Sequence, residues 1–288
     1  FYCINECSLI NYADDNTLCC ISDSREKITH DLQNDVKACL NWFDDNGMKA
    51  NPGKFQSIML HRTDREPLAL DIDGQILLSS KNVKLLGITI DDTLSFDVHV
   101  KYLCKKAGNQ ISVLKRLSSK LDLDGKLNIY KSFIISTFNY CPIVWNFCGK
   151  GNIKLMESLQ ERALRFVFND NVSDFCVLLE KSKTESLLIS RLKSMSLQVF
   201  KCMKNIGPSY LHNMFERKSI NYDLRDGNLL KQNAYFTVKY GFLSFRYHRA
   251  KIWNSIPADI KSVSKFDDFK YLIRKWEGPF CSCQYCTL

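Results

Sequence analysis

Four pairs of adjacent aspartates, Asp14-Asp15, Asp44-Asp45, Asp91-Asp92 and Asp267-Asp268, are the residues best suited to holding a divalent cation. Adjacent aspartates usually occupy exposed turns or helix ends, and the last three pairs are read that way. The first pair differs in context. Residues 7–21, CSLINYADDNTLCCI, flank it with apolar residues on both sides. That pattern predicts two packed strands around a tight polar turn at Asp14, Asp15 and Asn16. Two crowded carboxylates repel each other, which favours a shifted pKa or a bound divalent cation. Phosphoryl transfer by two metal ions needs oxygen ligands of this kind, with the ions about 3.5–4 Å apart.

A second set of possible ligands ends the chain. Cys281, Cys283 and Cys286 form C-x-C-x-x-C, whereas zinc takes four ligands. His248 or Cys202 would have to complete the set, and neither stands at a local spacing that favours it. A degenerate zinc knuckle and a plain tail both fit. No glycine-rich dinucleotide loop, P-loop, Ser-His-Asp set or H-E-x-x-H pattern is present.

The elements that must position these residues are read from hydrophobic period. Ile28, Leu32, Val36, Cys39, Leu40 and Phe43 recur at steps of three and four, predicting a helix over about 25–46. Ser24 suits its N-cap and Gly47 its C-terminal stop. Lys54 to Leu60 and Val83 to Ile90 each read as one strand. From about residue 97 the pattern turns helical. Leu103, Ala107, Ile111, Leu114 and Leu117 form a stripe that leaves Lys101, Lys105, Lys106, Lys115 and Arg116 mainly for solvent. Further helical runs cover 127–138, 153–168, 185–206 and 266–276, and 209–250 has fewer clear periods. The fold class expected is α+β.

Charge separates along the chain. The net charge is +9, but residues 1–92 hold 9 Lys+Arg against 15 Asp+Glu, and residues 93–288 hold 31 against 16. An acidic head on a basic body suits a metal-carrying end joined to an end that grips a polyanion. A lysine-rich solubilising surface explains the same numbers. Aromatic and basic residues alternate over 235–253 (YFTVKYGFLSFRYHRAKIW), a composition suited to base stacking or to filling a core. Thirteen cysteines, an odd count, sit mostly in apolar runs (Cys19, Cys20, Cys39, Cys141, Cys202), where a thiol behaves as a small hydrophobe. With no export signal and no apolar run near the roughly 20 residues of a membrane span, an intracellular location, cytoplasmic or nuclear, is expected.

At Tyr12-Ala13-Asp14-Asp15 the chain resembles the catalytic turn of reverse transcriptases of non-LTR (LINE, jockey-like) retrotransposons. The resemblance continues through Asn41-Trp42-Phe43, Gly47-Met48-Lys49, Asn51-Pro52-Gly53-Lys54 and Val83-Lys84-Leu85-Leu86-Gly87. It extends to Tyr140-Cys141-Pro142-Ile143-Val144-Trp145, Leu159-Gln160-Glu161-Arg162-Ala163 and Ala250-Lys251-Ile252-Trp253-Asn254-Ser255-Ile256-Pro257. It implies a partial palm over 1–92, a helical thumb-like region over 93–170 and a basic C-terminal region over 171–288. It also implies roles. Asp14 and Asp15 would bind Mg²⁺, Tyr12 would lie near the primer end, and Lys54 would protonate departing pyrophosphate. Leu86 and Gly87 would hold the primer strand. RNA template and DNA primer are the implied partners.

Such enzymes need a third metal-binding aspartate, fingers and a nucleotide-selecting segment, all ahead of the Tyr-Ala-Asp-Asp turn. Only eleven residues precede Tyr12, and the chain opens on Phe1. The expectation is therefore a C-terminal piece of a longer reading frame, inactive alone. Two alternatives stay open: a nucleic-acid-binding remnant of a decayed element, and a zinc-stapled interaction module.

Overall fold

A computed structural model of the chain describes residues 4–60, 66–213, 215–216, 229–232, 234, 237 and 244–278. Two compact units divide it, Phe1–Leu94 and Ser95–Leu288.

Among its described residues the first unit carries three separate antiparallel hairpins and one long helix. β1 (Ser8–Tyr12) pairs with β2 (Asp15–Cys19), β3 (Ala69–Ile72) with β4 (Gln75–Leu78), and β5 (Asn82–Leu85) with β6 (Ile88–Asp91). All three close through two-residue turns, and each turn begins on a residue with positive φ: Ala13 at 53°, Asp73 at 51° and Leu86 at 46°. Two-residue loops demand that backbone because it matches the twist of the flanking strands. Gly74 and Gly87, both at 83°, supply the second position at no steric cost. The run 83–90 is therefore a hairpin rather than one strand, since the Leu86-Gly87 turn is hidden inside an apolar stretch. The segment 55–60 forms no ladder either. It is held beside β5 through Gln56, whose side chain accepts from Lys84 N–H at 3.0 Å, and through the Ser80 N–H donating to the Ser57 carbonyl at 2.8 Å.

α1 (Arg25–Asp45) begins on Ser24, whose hydroxyl accepts from Lys27 N–H at 3.3 Å, and it ends against Gly47 at φ 70°. Of the predicted stripe Cys39 is buried while Ile28, Leu32, Val36, Leu40 and Phe43 are half-buried, and Asp31 and Asp35 are buried beside it. Arg25 reaches the Glu66 and Pro67 carbonyls, and Gln33 donates to the Asp71 carbonyl at 3.1 Å. These bonds fasten the helix to the chain around β3.

The described part of the second unit is helical. Its described helices are α2 (Asp97–Leu117), α3 (Leu123–Ile129), α4 (Pro142–Trp145), α5 (Lys150–Phe168), α6 (Phe175–Ser182) and α7 (Leu187–Met203). They are followed by α8 (Ser209–His212), α9 (Phe245–Ser255), α10 (Ala258–Ser262) and α11 (Phe266–Lys275). α3 runs directly into a wide π turn, Tyr130–Ile135, which buries Tyr130 and Ile134. On α2, Leu103, Ala107, Ile111 and Leu114 are buried as the stripe predicts, whereas Leu117 at the helix end is exposed.

Gln160 ties the α2–α7 bundle together. Fully buried, its side chain donates to the Tyr130 hydroxyl at 3.0 Å and the Glu185 carbonyl at 2.8 Å, and accepts from Leu187 N–H at 2.9 Å. Glu157, one turn earlier, accepts from Leu188 N–H at 2.7 Å. Two groups of α5 thus satisfy backbone donors that the first turn of α7 would otherwise leave open. A further core joins Val199 and Phe200 of α7 to Ala250 and Trp253 of α9 and to Phe269 and Ile273 of α11.

Candidate functional site

The Asp14-Asp15 turn is built by backbone register. Tyr12 lies opposite Asp15, Asn11 opposite Asn16 and Ile10 opposite Thr17. The turn residues are Ala13 and Asp14, one position earlier than predicted, and Asp15 and Asn16 belong to β2. Opposed residues of an antiparallel pair share a face, so Tyr12 and Asp15 stand side by side while Asp14 projects from the tip. Tyr12 is 66% exposed and both aspartates are exposed. Neither carboxylate is engaged by another side chain among the described residues, leaving their oxygens available to a cation. The strands are less packed than predicted, because Ile10 faces solvent at 59% exposure. Pairing rather than burial holds this turn.

The base of the hairpin has a different anchor. Asp35 of α1 accepts from three successive backbone N–H groups, Asn5 at 3.2 Å, Glu6 at 3.1 Å and Cys7 at 2.7 Å. Burial raises its pKa, but these donors and the Cys7 thiol outweigh burial and hold the carboxyl below the usual aspartate range. Sequence reasoning missed Asp35, since its partners are backbone groups with no side-chain signature.

The other predicted residues lie in the same unit. Lys54 ends a short 3₁₀ turn, Pro52–Lys54, and is exposed. Asn51 caps that turn by accepting from Gly53 N–H at 3.1 Å. The chain then passes directly to Gln56 and so to β5, which leads into the Leu86-Gly87 turn. The Gln56 side chain and the Ser57 carbonyl thus link the lysine-bearing segment to the hairpin holding Leu86 and Gly87 and to the chain just before it. No group of three or more His, Cys, Asp or Glu side chains able to hold a metal ion occurs among the described residues. Cys281, Cys283 and Cys286 lie outside the described residues.

In the second unit, Lys101, Lys105, Lys106, Lys115 and Arg116 are exposed on α2 as predicted. Within 235–253, residues 235, 236 and 238–243 lie outside the described residues. Trp253, by contrast, is 2% exposed and stacks on Phe269 at 6.0 Å, so it fills a core. His248 is buried against Phe147, their rings stacked at 4.8 Å. Cys39 and Cys202 are buried small hydrophobes, but Cys19 and Cys141 are exposed, correcting the reading of their apolar surroundings. No described helix is long and apolar enough to cross a membrane.

Comparison with known proteins bears on this arrangement. The chain is 27% identical over 161 residues, 54% of its length, to the RNA-directed DNA polymerase from mobile element jockey of Drosophila melanogaster. It is 26% identical over 164 residues to the probable RNA-directed DNA polymerase from transposon BS of the same organism. The chain is a homologue of jockey-like RNA-directed DNA polymerases. The jockey element of Drosophila funebris gives 26% identity over 163 residues. The matched stretch spans 18% of the length of each of these jockey-like relatives. No protein-family model and no solved structure matches the chain.

Proposed function

We propose that the chain supplies the metal-binding turn and primer-holding hairpin of a reverse transcriptase, which adds deoxynucleotides to a primer 3′ hydroxyl on an RNA template. The observation carrying this reading is the two-residue hairpin that presents Tyr12, Asp14 and Asp15 to solvent with both carboxylates unengaged. Oxygen donors of this kind suit Mg²⁺, which binds through one or two carboxylates plus substrate phosphates and water. Asp14 and Asp15 would hold the metal. When bound, the metal supplies neutralisation of phosphate charge and a more acidic primer hydroxyl.

The chain's own residues do the rest. Tyr12, beside Asp15, offers an exposed ring at the edge of the turn against which the primer end can rest. Lys54 is an exposed ammonium that gives a proton to the leaving pyrophosphate. The Leu86-Gly87 turn presents backbone to the primer strand, and glycine at its second position permits close approach. The exposed lysines of α2 neutralise backbone phosphates, so affinity falls steeply as salt rises.

A second reading, nucleic-acid binding without catalysis, is favoured by one observation. The turn offers two carboxylates, and no third acidic, histidine or cysteine group joins them among the described residues.

Primer extension on an RNA template with Mg²⁺ or Mn²⁺ separates the two readings. The chain is assayed beside its Asp14→Ala, Asp15→Ala double variant. Incorporation that the double variant abolishes supports catalysis, with a third ligand supplied within the chain or by a second copy. Salt-sensitive binding of a primer–template without incorporation supports the second reading. Folded protein that neither binds nor extends refutes both.

A further inference from the structure

The β1–β2 ladder has a consequence at the end opposite its aspartates. In an antiparallel pair, hydrogen-bonded and non-hydrogen-bonded residue pairs alternate. The pair closing a two-residue turn, here Tyr12 and Asp15, is of the hydrogen-bonded type. Counting outward, Asn11–Asn16 and Leu9–Leu18 are non-hydrogen-bonded, and Ser8–Cys19 is hydrogen-bonded. Extended one step past the end of the ladder, the register sets Cys7 against Cys20 in the close, non-hydrogen-bonded position. There Cα atoms lie about 4.5 Å apart, inside the range of roughly 4.4–6.8 Å that a disulfide spans.

The side chains agree with the register. The Cys7 thiol is a hydrogen-bonding partner of both the Cys20 thiol and the Asp35 carboxylate. Cys7, Leu9, Leu18 and Cys20 are all half-buried on one face, whereas Ser8, Ile10 and Cys19 are exposed on the other. Cys19, although adjacent to Cys20 in sequence, therefore points away from Cys7.

We propose that Cys7 and Cys20 are a redox-active dithiol, which closes to a disulfide across the base of the aspartate-bearing hairpin by exchange with low-molecular-weight disulfides such as oxidised glutathione. In the first step the Cys20 thiolate attacks one glutathione sulfur. The glutathione S–S bond breaks, one glutathione thiolate leaves, and a mixed disulfide remains on Cys20. Cys7 then loses its proton to solvent, and its thiolate attacks Cys20 Sγ, expelling the second glutathione. Two protein thiols are oxidised and one glutathione disulfide is reduced to two glutathione thiols.

Burial and the neighbouring Asp35 carboxylate hold the Cys7 thiol well above its ordinary pKa. The second step is therefore slow at neutral pH and accelerates with alkalinity. Once formed, the bond pins both strands beside the three Asp35 hydrogen bonds, so hairpin register is fixed covalently. None of this depends on the polymerase reading.

The test uses the full chain, with folding confirmed by circular dichroism. The protein is incubated with oxidised glutathione between pH 7 and pH 8.5, alkylated with N-ethylmaleimide, and digested with an endoproteinase that cuts before aspartate. Cleavage at Asp14, Asp15 and Asp23 separates Cys7 from Cys20, and mass spectrometry without reduction finds linked peptides. The expected result is a Cys7–Cys20 link that survives Cys3→Ser and Cys19→Ser and is lost in Cys20→Ser. Its rate of formation is expected to rise about tenfold per pH unit. Recovery of Cys7 and Cys20 as separate alkylated or glutathionylated peptides overturns the proposal. So does a link from Cys7 to Cys19 in place of Cys20.

Discussion

Replacing Asp35 by alanine is expected to free the base of the β1–β2 hairpin without unfolding the second unit. The three N–H donors now satisfied by Asp35 lie at 3.2, 3.1 and 2.7 Å. A hydrogen bond to a charged group contributes about 1.5–3 kcal/mol where it is buried. Asn5 and Glu6 are exposed and can bond to water after the change, while Cys7 is half-buried. Allowing about 0.5 kcal/mol for each exposed donor and about 1.5 for Cys7 gives a loss near 2.5 kcal/mol. Removing the buried charge itself returns part of that, leaving about 2 kcal/mol. Local opening of the hairpin then becomes about 30-fold more frequent. Native-state hydrogen exchange reads this directly. Amides of β1 and β2 are expected to lose about 30-fold in protection, while those of α2, α5 and α7 keep theirs. Unchanged protection in β1, or an equal loss in both units, would refute the reasoning. Acid reports on the same anchor with a fixed sign. Because the folded-state pKa of Asp35 is depressed, its stabilisation is present above the ordinary aspartate value of 3.8 and is lost as pH falls below it.

Three further outcomes follow from the buried polar groups and the turns. Arg191→Met leaves Glu157 without the cation that offsets its burial, and is expected to cost about 3 kcal/mol in urea unfolding at pH 7. Burial already raises the Glu157 pKa above the ordinary 4.5, so stability falls as pH rises through that window. Losing Arg191 raises the pKa further, so the deficit of the variant is expected to shrink near pH 5, and Glu157→Gln in the same chain is expected to remove most of it. Gln160→Leu breaks three hydrogen bonds, strands the Leu187 N–H and leaves the Tyr130 hydroxyl with Thr184 alone at 3.4 Å, costing about 2–3 kcal/mol by the same titration. Gly87→Ala places a Cβ at φ 83°, and is expected to loosen the β5–β6 hairpin by about 1–2 kcal/mol, seen as lost amide protection confined to residues 82–91.

The sequence was legible where a pattern repeats and opaque where a partner is remote. On α2, Leu103, Ala107, Ile111 and Leu114 recur at helical steps, and burial follows them until Leu117, where the helix end leaves the bundle. The Tyr-Ala-Asp-Asp turn was legible because apolar strands bracket it, although its tip sits one residue earlier than polarity alone suggests. The Asp73-Gly74 turn carries an ordinary hairpin signature that could have been read. Leu86-Gly87 could not be read as readily, since Leu86 continues an apolar run and only the following glycine hints at a break. Asp35 and Gln160 were invisible for another reason. Each answers backbone N–H and carbonyl groups distant in sequence, and those groups are the same in every residue. Lys54 was read as opening a strand, but it ends a 3₁₀ turn, and its surroundings depend on Gln56 meeting β5, a contact that no local period encodes.

The two-residue closure of β1 and β2 also constrains how the gene can change length. Side chains alternate along a strand, so one codon inserted between Cys7 and Tyr12 would rotate every upstream residue to the opposite face. Cys7 would leave Cys20, and the Asn5–Cys7 amides would turn from Asp35, while the Asp14-Asp15 tip stayed intact. Matched insertions, one codon in each strand, keep the ladder aligned but move the cysteines into the wider pair geometry. Two codons in each strand restore both faces and both pair types. Length variants of this segment that keep the dithiol both in the close pair and on the face beside Asp35 are therefore expected to differ by four codons, split evenly about the turn.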